Sequence, residues 1–169
     1  VYDLPFGKDR RWMHTGALPI LLGGWTVASI MGLQSGGPFT VVTQTNTTNA
    51  FSSGGQRANV LRNGNLPSGQ RTVERWFDTD AFLAPPAYTF GNAGRGILRA
   101  DGRAVFDFSI NKNFHIAEGR YVQFRGELLN AFNHPDFMPP NHNLGSAGYG
   151  LVSAASNPRT VQLGLRIVF

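Results

Sequence analysis

The last eleven residues, RTVQLGLRIVF (159–169), place an apolar side chain at every second position. Successive side chains of a β-strand point to opposite faces, so this spacing predicts a strand with one wholly apolar face. The apolar positions are Val161, Leu163, Leu165, Ile167 and Phe169. Whatever fold the chain adopts must cover that face with a protein core or with lipid.

The same two-residue period occurs in two further segments. Residues 103–116 (RAVFDFSINKNFHI) and 121–132 (YVQFRGELLNAF) alternate apolar and polar side chains, and the short segment AEGR (117–120) joins them as a hairpin turn. Residues 25–42 fit less well because Ile30 breaks the alternation, and residues 1–4 resemble the end of a strand. The pattern predicts an all-β fold, an antiparallel meander of about five to six long strands.

Strand length indicates the surroundings of this sheet. Eleven residues at about 3.3 Å each span roughly 36 Å. A tilt of about 45° projects this to roughly 25 Å, which is the height of the apolar band of a membrane barrel. Strands of soluble proteins average about five or six residues. We therefore predict part of an outer-membrane-type β-barrel, with a soluble antiparallel β-domain as the alternative.

In such a barrel the polar face lines a wet lumen and the apolar face meets lipid. The predicted lumen-facing side chains are Asp107, Asn111, Gln123, Arg125, Glu127 and Arg166. Aromatic side chains are enriched where such a barrel crosses the membrane–water interface. The predicted interface aromatics are Trp25, Phe106, Phe108, Phe124 and Tyr121, and Trp76 is a further candidate.

Residues 43–102 are rich in Asn, Thr, Ser and Gly and show no clear period. A structureless loop of this length is unusual inside a compact domain but ordinary among the outer loops of membrane barrels. We therefore interpret residues 1–169 as one barrel segment with strands near 1–4, 25–42, 103–116, 121–132 and 159–169 and a long polar loop over 43–102.

Composition argues against several classes of function. Charged residues make up 15% of the chain, against about 25% in average globular proteins. The net charge is +5, but no basic run exceeds KDRR (8–11), so nucleic-acid binding has little support. The chain has no cysteine, which excludes disulfides and thiolate metal sites.

No motif for catalysis, metal or cofactor emerges from the sequence. His134, Asp136 and His142 match no standard metal-ligand spacing, and the three prolines around them favour a rigid, solvated loop. The run GNAGRG (91–96) differs from the dinucleotide fingerprint and precedes no helical pattern. Asp78 and Asp80, with Glu74, show no sign of the burial that acid–base catalysis needs. We expect no enzymatic activity, no metal and no cofactor.

Several stretches, taken in order, resemble the C-terminal barrel region of TonB-dependent outer-membrane receptors. The resemblance is to the Oar-like subgroup, which carries a carboxypeptidase-regulatory-like N-terminal domain. The matching stretches are YDLPFGKDRRW, LLGGWTVASIMGLQSGGPFTV, RWFDTDAF, YTFGNAGRGILRADGRAVFDFSINKNFHI, YVQFRGELLNAFNHPDF and RTVQLGLRIVF. Such receptors import scarce nutrients through a plugged barrel, using energy that TonB transmits from the inner membrane.

The resemblance implies that the barrel-assembly machinery reads the last strand and its terminal aromatic residue. Phe169 fits that position, and Val161, Leu163, Leu165 and Ile167 complete the apolar signal. The chain shows no plug and fewer strands than the eight of the smallest single-chain barrels. We therefore expect a segment of a larger receptor in the bacterial outer membrane, unable to perform energised transport alone and with an unknown transported ligand.

Two other functions remain open from the sequence. A receptor-derived fragment with free strand edges would pair with copies of itself and grow into an oligomer, filament or tube, as an extracellular assembly. A soluble sugar-binding β-domain is the second alternative. The expected partners are therefore outer-membrane lipid and the rest of the receptor barrel, or other copies of the chain, and no nucleic acid.

Overall fold

A computed structural model describes residues 1–7, 11–12, 21–50 and 54–169. The chain is all-β, as predicted, and forms two compact units. We call Val1–Leu33, Ala104–His134 and Asn157–Phe169 the sheet unit. Gln34–Arg103 and Pro135–Ser156 form the inserted unit. Within the described residues, no helix has the length and apolar character needed to cross a membrane.

The described residues of the sheet unit form one antiparallel sheet of five strands, which is not closed into a barrel. The strands are β1 (Tyr2–Asp3), β2 (Trp25–Gln34), β8 (Arg103–Ala117), β9 (Arg120–Leu129) and β11 (Thr160–Val168), in the order β1-β2-β8-β9-β11. β8 and β9 form a hairpin, and all nine residues of β11 pair with β9. The four long strands have 9 to 15 residues, well above the soluble average of about five or six.

The inserted unit is built from short elements. Its strands are β3 (Pro38–Phe39), β4 (Val42–Thr43), β5 (Asn59–Val60), β6 (Phe82–Leu83), β7 (Leu98–Arg99) and β10 (Asn143–Leu144). They pair as β3–β7, β4–β10 and β5–β6, and two 3-10 helices cover Ser68–Gln70 and Thr79–Ala81. A hydrophobic core holds them together, with Val41, Phe77, Phe82 and Leu98 almost fully buried.

Two sequence expectations differ from the structure here. The predicted strand 25–42 ends at Gln34, and at Gly36 the chain passes close to the backbone of Ala100. A Cβ on Gly36 would lie 1.9 Å from the Ala100 carbonyl oxygen, so only glycine fits there. The predicted long loop 43–102 is instead folded around its own core, because widely spaced aromatic and aliphatic residues converge without any regular period.

Candidate functional site

The register of the sheet assigns each side chain of β8, β9 and β11 to one of two faces. Directly paired residues lie on the same face, and neighbours along a strand alternate. Leu163 pairs with Gly126 and Ile110 pairs with Gly126, which places all three on one face. Asn111 pairs with Arg125, which pairs in turn with Gly164, on the opposite face.

The first face is apolar, and much of it lies open. Leu163 and Leu165 are 73% and 75% exposed, and Val161 and Ile167 are also exposed on the same strand. Leu165 pairs with Phe124 and Ile167 with Val122, so the apolar surface continues onto β9. Contact of such side chains with hydrocarbon is favourable, whereas their exposure to water costs free energy. This face has the chemistry of a lipid-facing surface.

Lys112 lies on the apolar face, although the alternation would assign an apolar residue there. Its relative exposure is only 3%. Its Nζ atom lies 5.2 Å from the Trp25 ring centre and 4.7 Å from that of Phe114, and it donates to the Leu21 carbonyl at 2.5 Å. Two aromatic faces and a carbonyl dipole thus stabilise the ammonium charge. Hydrocarbon would offer it no such compensation. The sequence pattern gave no sign of this arrangement.

The predicted interface aromatics fall into separate groups. Trp25 and Phe124 meet edge to face at 6.0 Å, beside Lys112. Phe106 and Phe108 both contact Phe132, at 5.1 and 6.0 Å between ring centres, near the other end of the hairpin strands.

Two of the aromatic candidates lie elsewhere. Tyr121 lies on the polar face, where its ring centre is 5.8 Å from that of His115. Trp76 is not an interface aromatic, because it lies in the core of the inserted unit, where its indole N–H donates to the Arg99 carbonyl at 3.1 Å.

The opposite face of the sheet gathers the predicted lumen-facing residues. Asn111 pairs with Arg125, Gln123 with Arg166, and Glu127 with Gln162. Arg125 also forms an ion pair with Glu127 on its own strand. Asp107 shares this face by alternation, and its carboxylate accepts a hydrogen bond from the Asn130 backbone N–H at 2.8 Å. The six residues therefore form one polar surface, as the alternation predicts.

In the inserted unit, Asp78 is the centre of a buried charge cluster. Its carboxylate accepts from Arg62 Nε at 2.8 Å and from Arg75 Nη2 at 2.8 Å, and it caps the 3-10 helix at Asp80 N. Burial alone would raise the pKa of Asp78, but the hydrogen bonds from Arg62 and Arg75 outweigh it and lower the pKa. The cluster joins Arg62 to the segment 75–80 and has the character of a structural contact.

Tyr149 packs against Phe77 in the same core, with 5.3 Å between ring centres. Burial raises the pKa of the Tyr149 hydroxyl, and the charges of Asp78 and Asp80 raise it further. The phenol is therefore held neutral, as suits a core residue.

The three residues considered for metal binding are divided between the two units. His134 belongs to the sheet unit, whereas Asp136 and His142 belong to the inserted unit. Asp136 is buried and lies 3.5 Å from Arg103 Nε, so it is not the solvated loop residue that the sequence suggested. Across the described ranges, no group of three His, Cys, Asp or Glu side chains is arranged to hold a metal ion. The absence of enzymatic activity stays a prediction.

Comparison with known proteins agrees with the two-faced sheet. A family model described as an outer membrane beta barrel domain matches residues 1–162. No curated protein matches the chain, and no solved structure matches it.

Proposed function

Because the chain belongs to the outer membrane beta barrel domain family, we propose that it forms part of the barrel of a TonB-dependent receptor that takes up a ligand across the outer membrane. The observation that carries the proposal is the division of the sheet into one apolar and one polar face over strands of membrane height. Membership in this family also argues against the soluble sugar-binding alternative.

Chain connectivity supports a receptor rather than a bare barrel. The β8–β9 connection is a tight turn, whereas residues 35–102 connect β2 to β8 and residues 130–159 connect β9 to β11. Since the strands are antiparallel, both long connections leave the sheet at the same strand ends. Outer-membrane barrels keep short turns on the periplasmic side and long loops outside. A folded unit made from the outer connections gives a receptor a surface for capturing ligand.

The resemblance in the ordered stretches from YDLPFGKDRRW to RTVQLGLRIVF supports the finer assignment to the Oar-like, TonB-dependent group. In this proposal the apolar residues of β11, with Phe169, serve as the assembly signal. The rest of the barrel supplies the strands that pair with the open edges of β1 and β11. Transport then depends on the complete receptor and on TonB.

The test is performed on native membranes of the source cells. Antibodies against residues 54–103 isolate the polypeptide that contains this sequence, and intact mass and crosslinking to TonB are measured. We expect an outer-membrane polypeptide heavier than the 18.4 kDa of this chain, crosslinked to TonB only in energised cells. An outer-membrane polypeptide that never crosslinks to TonB would refute the receptor assignment and leave the barrel fold intact.

The open edges of the sheet favour a second candidate function. In the part of the chain that the structure describes, β1 pairs only with β2 and β11 pairs only with β9. Unpaired edges recruit other strands, so isolated copies of the chain would join edge to edge into an oligomer, filament or tube. Electron microscopy of the purified chain in detergent tests this candidate. Regular polymers support it, and uniformly monomeric particles exclude it.

A further inference from the structure

The inserted unit contains a cavity of about 910 Å³ with an unusual charge balance. Its wall includes Phe39, Thr40, Val42, Arg57, Arg95 and His142. The volume is within the range of small-molecule sites, which extends to about 1,000 Å³. Two guanidinium groups line the cavity, and none of the described residues in its lining is Asp or Glu.

The lining arginines differ from others of the same unit. Arg62 and Arg75 both form ion pairs with Asp78, and Arg103 lies beside Asp136. Arg57 instead donates from Nη1 to the Ala93 carbonyl at 3.0 Å, which orients the guanidinium without cancelling its charge.

Arg95 has no hydrogen-bond or ion-pair partner among the described residues. The backbone beside it is held in place, because Gly96 N donates to Thr40 Oγ1 at 2.7 Å. The cavity therefore presents two positive charges that no carboxylate of the described residues balances.

The remaining wall is apolar and aromatic. Phe39 is buried, and its ring centre lies 5.8 Å from that of His142. His142 Nδ1 is 3.2 Å from the Pro140 carbonyl oxygen, which can only accept, so Nδ1 carries a proton. In the neutral imidazole this leaves Nε2 as an acceptor for a ligand hydroxyl or amide. One side of the cavity thus favours an anion and the other a ring or hydrocarbon.

We propose that this cavity binds a small organic anion, whose carboxylate or phosphate pairs with Arg57 and Arg95 and whose apolar part packs against Phe39 and Val42. Guanidinium groups recognise both anions through paired N–H donors. The inference rests on the proposed receptor function for its role in capturing ligand, whereas anion binding itself is a property of the inserted unit that is measured without transport.

The experiment titrates three probes into the full chain, folded in detergent, and follows binding by calorimetry. Phenyl phosphate and benzoate carry a ring with an anionic group, and benzyl alcohol carries the ring alone. We expect both anions to bind, with affinity falling as NaCl rises, and benzyl alcohol to bind at least tenfold more weakly. The tighter of the two anions identifies the preferred group.

Substitutions of the two lining arginines test whether the anion binds in this cavity. Arg95→Gln should weaken the binding of the tighter anion at least tenfold, and its exposed side chain, which has no partner in the described residues, should leave the near-UV circular dichroism unchanged. Arg57→Lys keeps the positive charge but removes the paired N–H donors of the guanidinium group, and should weaken anion binding severalfold.

Arg120→Gln is the matched control, since it makes the same change of charge at the exposed β8–β9 turn, and it should change affinity less than twofold. The proposal is overturned if neither anion binds, if benzyl alcohol binds equally well, or if Arg95→Gln and Arg120→Gln have equal effects. None of these outcomes depends on TonB, so failure here is distinguishable from failure of the receptor assignment.

Discussion

The two units place their apolar side chains in opposite ways. In the inserted unit, Phe77, Phe82 and Leu98 are buried among one another, as in a water-soluble domain. In the sheet unit, large aliphatic side chains such as Leu163 and Leu165 project from regular strands without protein cover. All the fully buried hydrophobic residues of the described chain belong to the inserted unit. One chain thus combines two arrangements, a closed apolar core in the inserted unit and an open apolar face on the sheet that suits lipid.

The largest loss of stability is expected from a substitution in the core of the inserted unit. Phe77→Ala removes ring contacts with Phe39, Phe82 and Tyr149, at 5.6, 6.0 and 5.3 Å between ring centres. The cavity left behind should lower the free energy of unfolding of this unit by about 3–5 kcal/mol, measured by urea denaturation. Phe90→Ala, at an exposed position of the same unit, is the control and should cost little. Equal losses would show that the unit has no specific core.

The next effect belongs to the sheet and depends on lipid. Leu165→Arg puts a charge on the apolar face, which should cost about 2–4 kcal/mol when the protein folds into bilayers. Gln162→Arg, three residues away on the polar face, should cost much less. The free energy of folding into lipid vesicles is measured for both variants by urea titration. If the two substitutions cost the same, the faces of β11 do not differ in solvent.

A smaller effect is expected from the charge cluster of the inserted unit. Asp78→Asn removes the carboxylate that Arg62 and Arg75 share, and should lower the free energy of unfolding by about 2 kcal/mol at neutral pH. Asp80→Asn is the control, because the Asp80 side chain is 77% exposed and lies 3.5 Å from Arg75. A loss for Asp80→Asn as large as that for Asp78→Asn would contradict the assignment.

The same cluster has a pH dependence of known sign. Folding lowers the pKa of Asp78, so its contribution is present above the ordinary carboxyl pKa of about 3.9 and is lost as the pH falls through the lower folded value. The stability difference between the native protein and Asp78→Asn should therefore shrink below about pH 4. Urea denaturation between pH 7 and pH 3 measures it, and a difference that grows toward acid would reverse the assigned sign.

The smallest effect is expected on the polar face of the sheet. Arg125 and Glu127 form an ion pair, but the Arg125 side chain is 60% exposed. Exposed pairs contribute at most about 1 kcal/mol, so Arg125→Gln should change the free energy of folding into vesicles by about 0.5 kcal/mol. Arg166→Gln on the same face is the control. A change above about 2 kcal/mol in Arg125→Gln alone would indicate a dry surface there.

The sequence predicted the sheet better than the inserted unit, for a physical reason. A strand in a regular sheet repeats its environment every two residues, so Val161 to Ile167 and the polar partners Asn111 and Arg125 reveal their faces by spacing alone. The core of the inserted unit forms from residues far apart in sequence, such as Phe39, Phe77 and Val152, which irregular turns bring together. Spacing along the chain carries no record of those contacts.

The positions of two side chains could not be predicted from the sequence, for related reasons. Lys112 occupies an apolar-face position because Trp25 and Phe114 compensate its charge, and such compensation depends on tertiary contacts. Trp76 fits an aromatic girdle by composition, and only the folded structure shows that it packs in a core. Arg57 and Arg95 are 38 positions apart in the sequence, and only the fold brings them into the lining of one cavity.

Solvent accessibility along β11 shows whether the two faces of the sheet meet different solvents. The chain has no native cysteine, so single cysteines at each position from 160 to 168 can carry a nitroxide label in lipid vesicles. Accessibility to oxygen, which prefers lipid, and to a water-soluble nickel chelate is then measured at each position. We predict oxygen maxima at 161, 163, 165 and 167 and nickel maxima at the positions between them. Equal accessibility along the strand, or nickel maxima on the apolar positions, would show that the apolar face of β11 does not meet lipid.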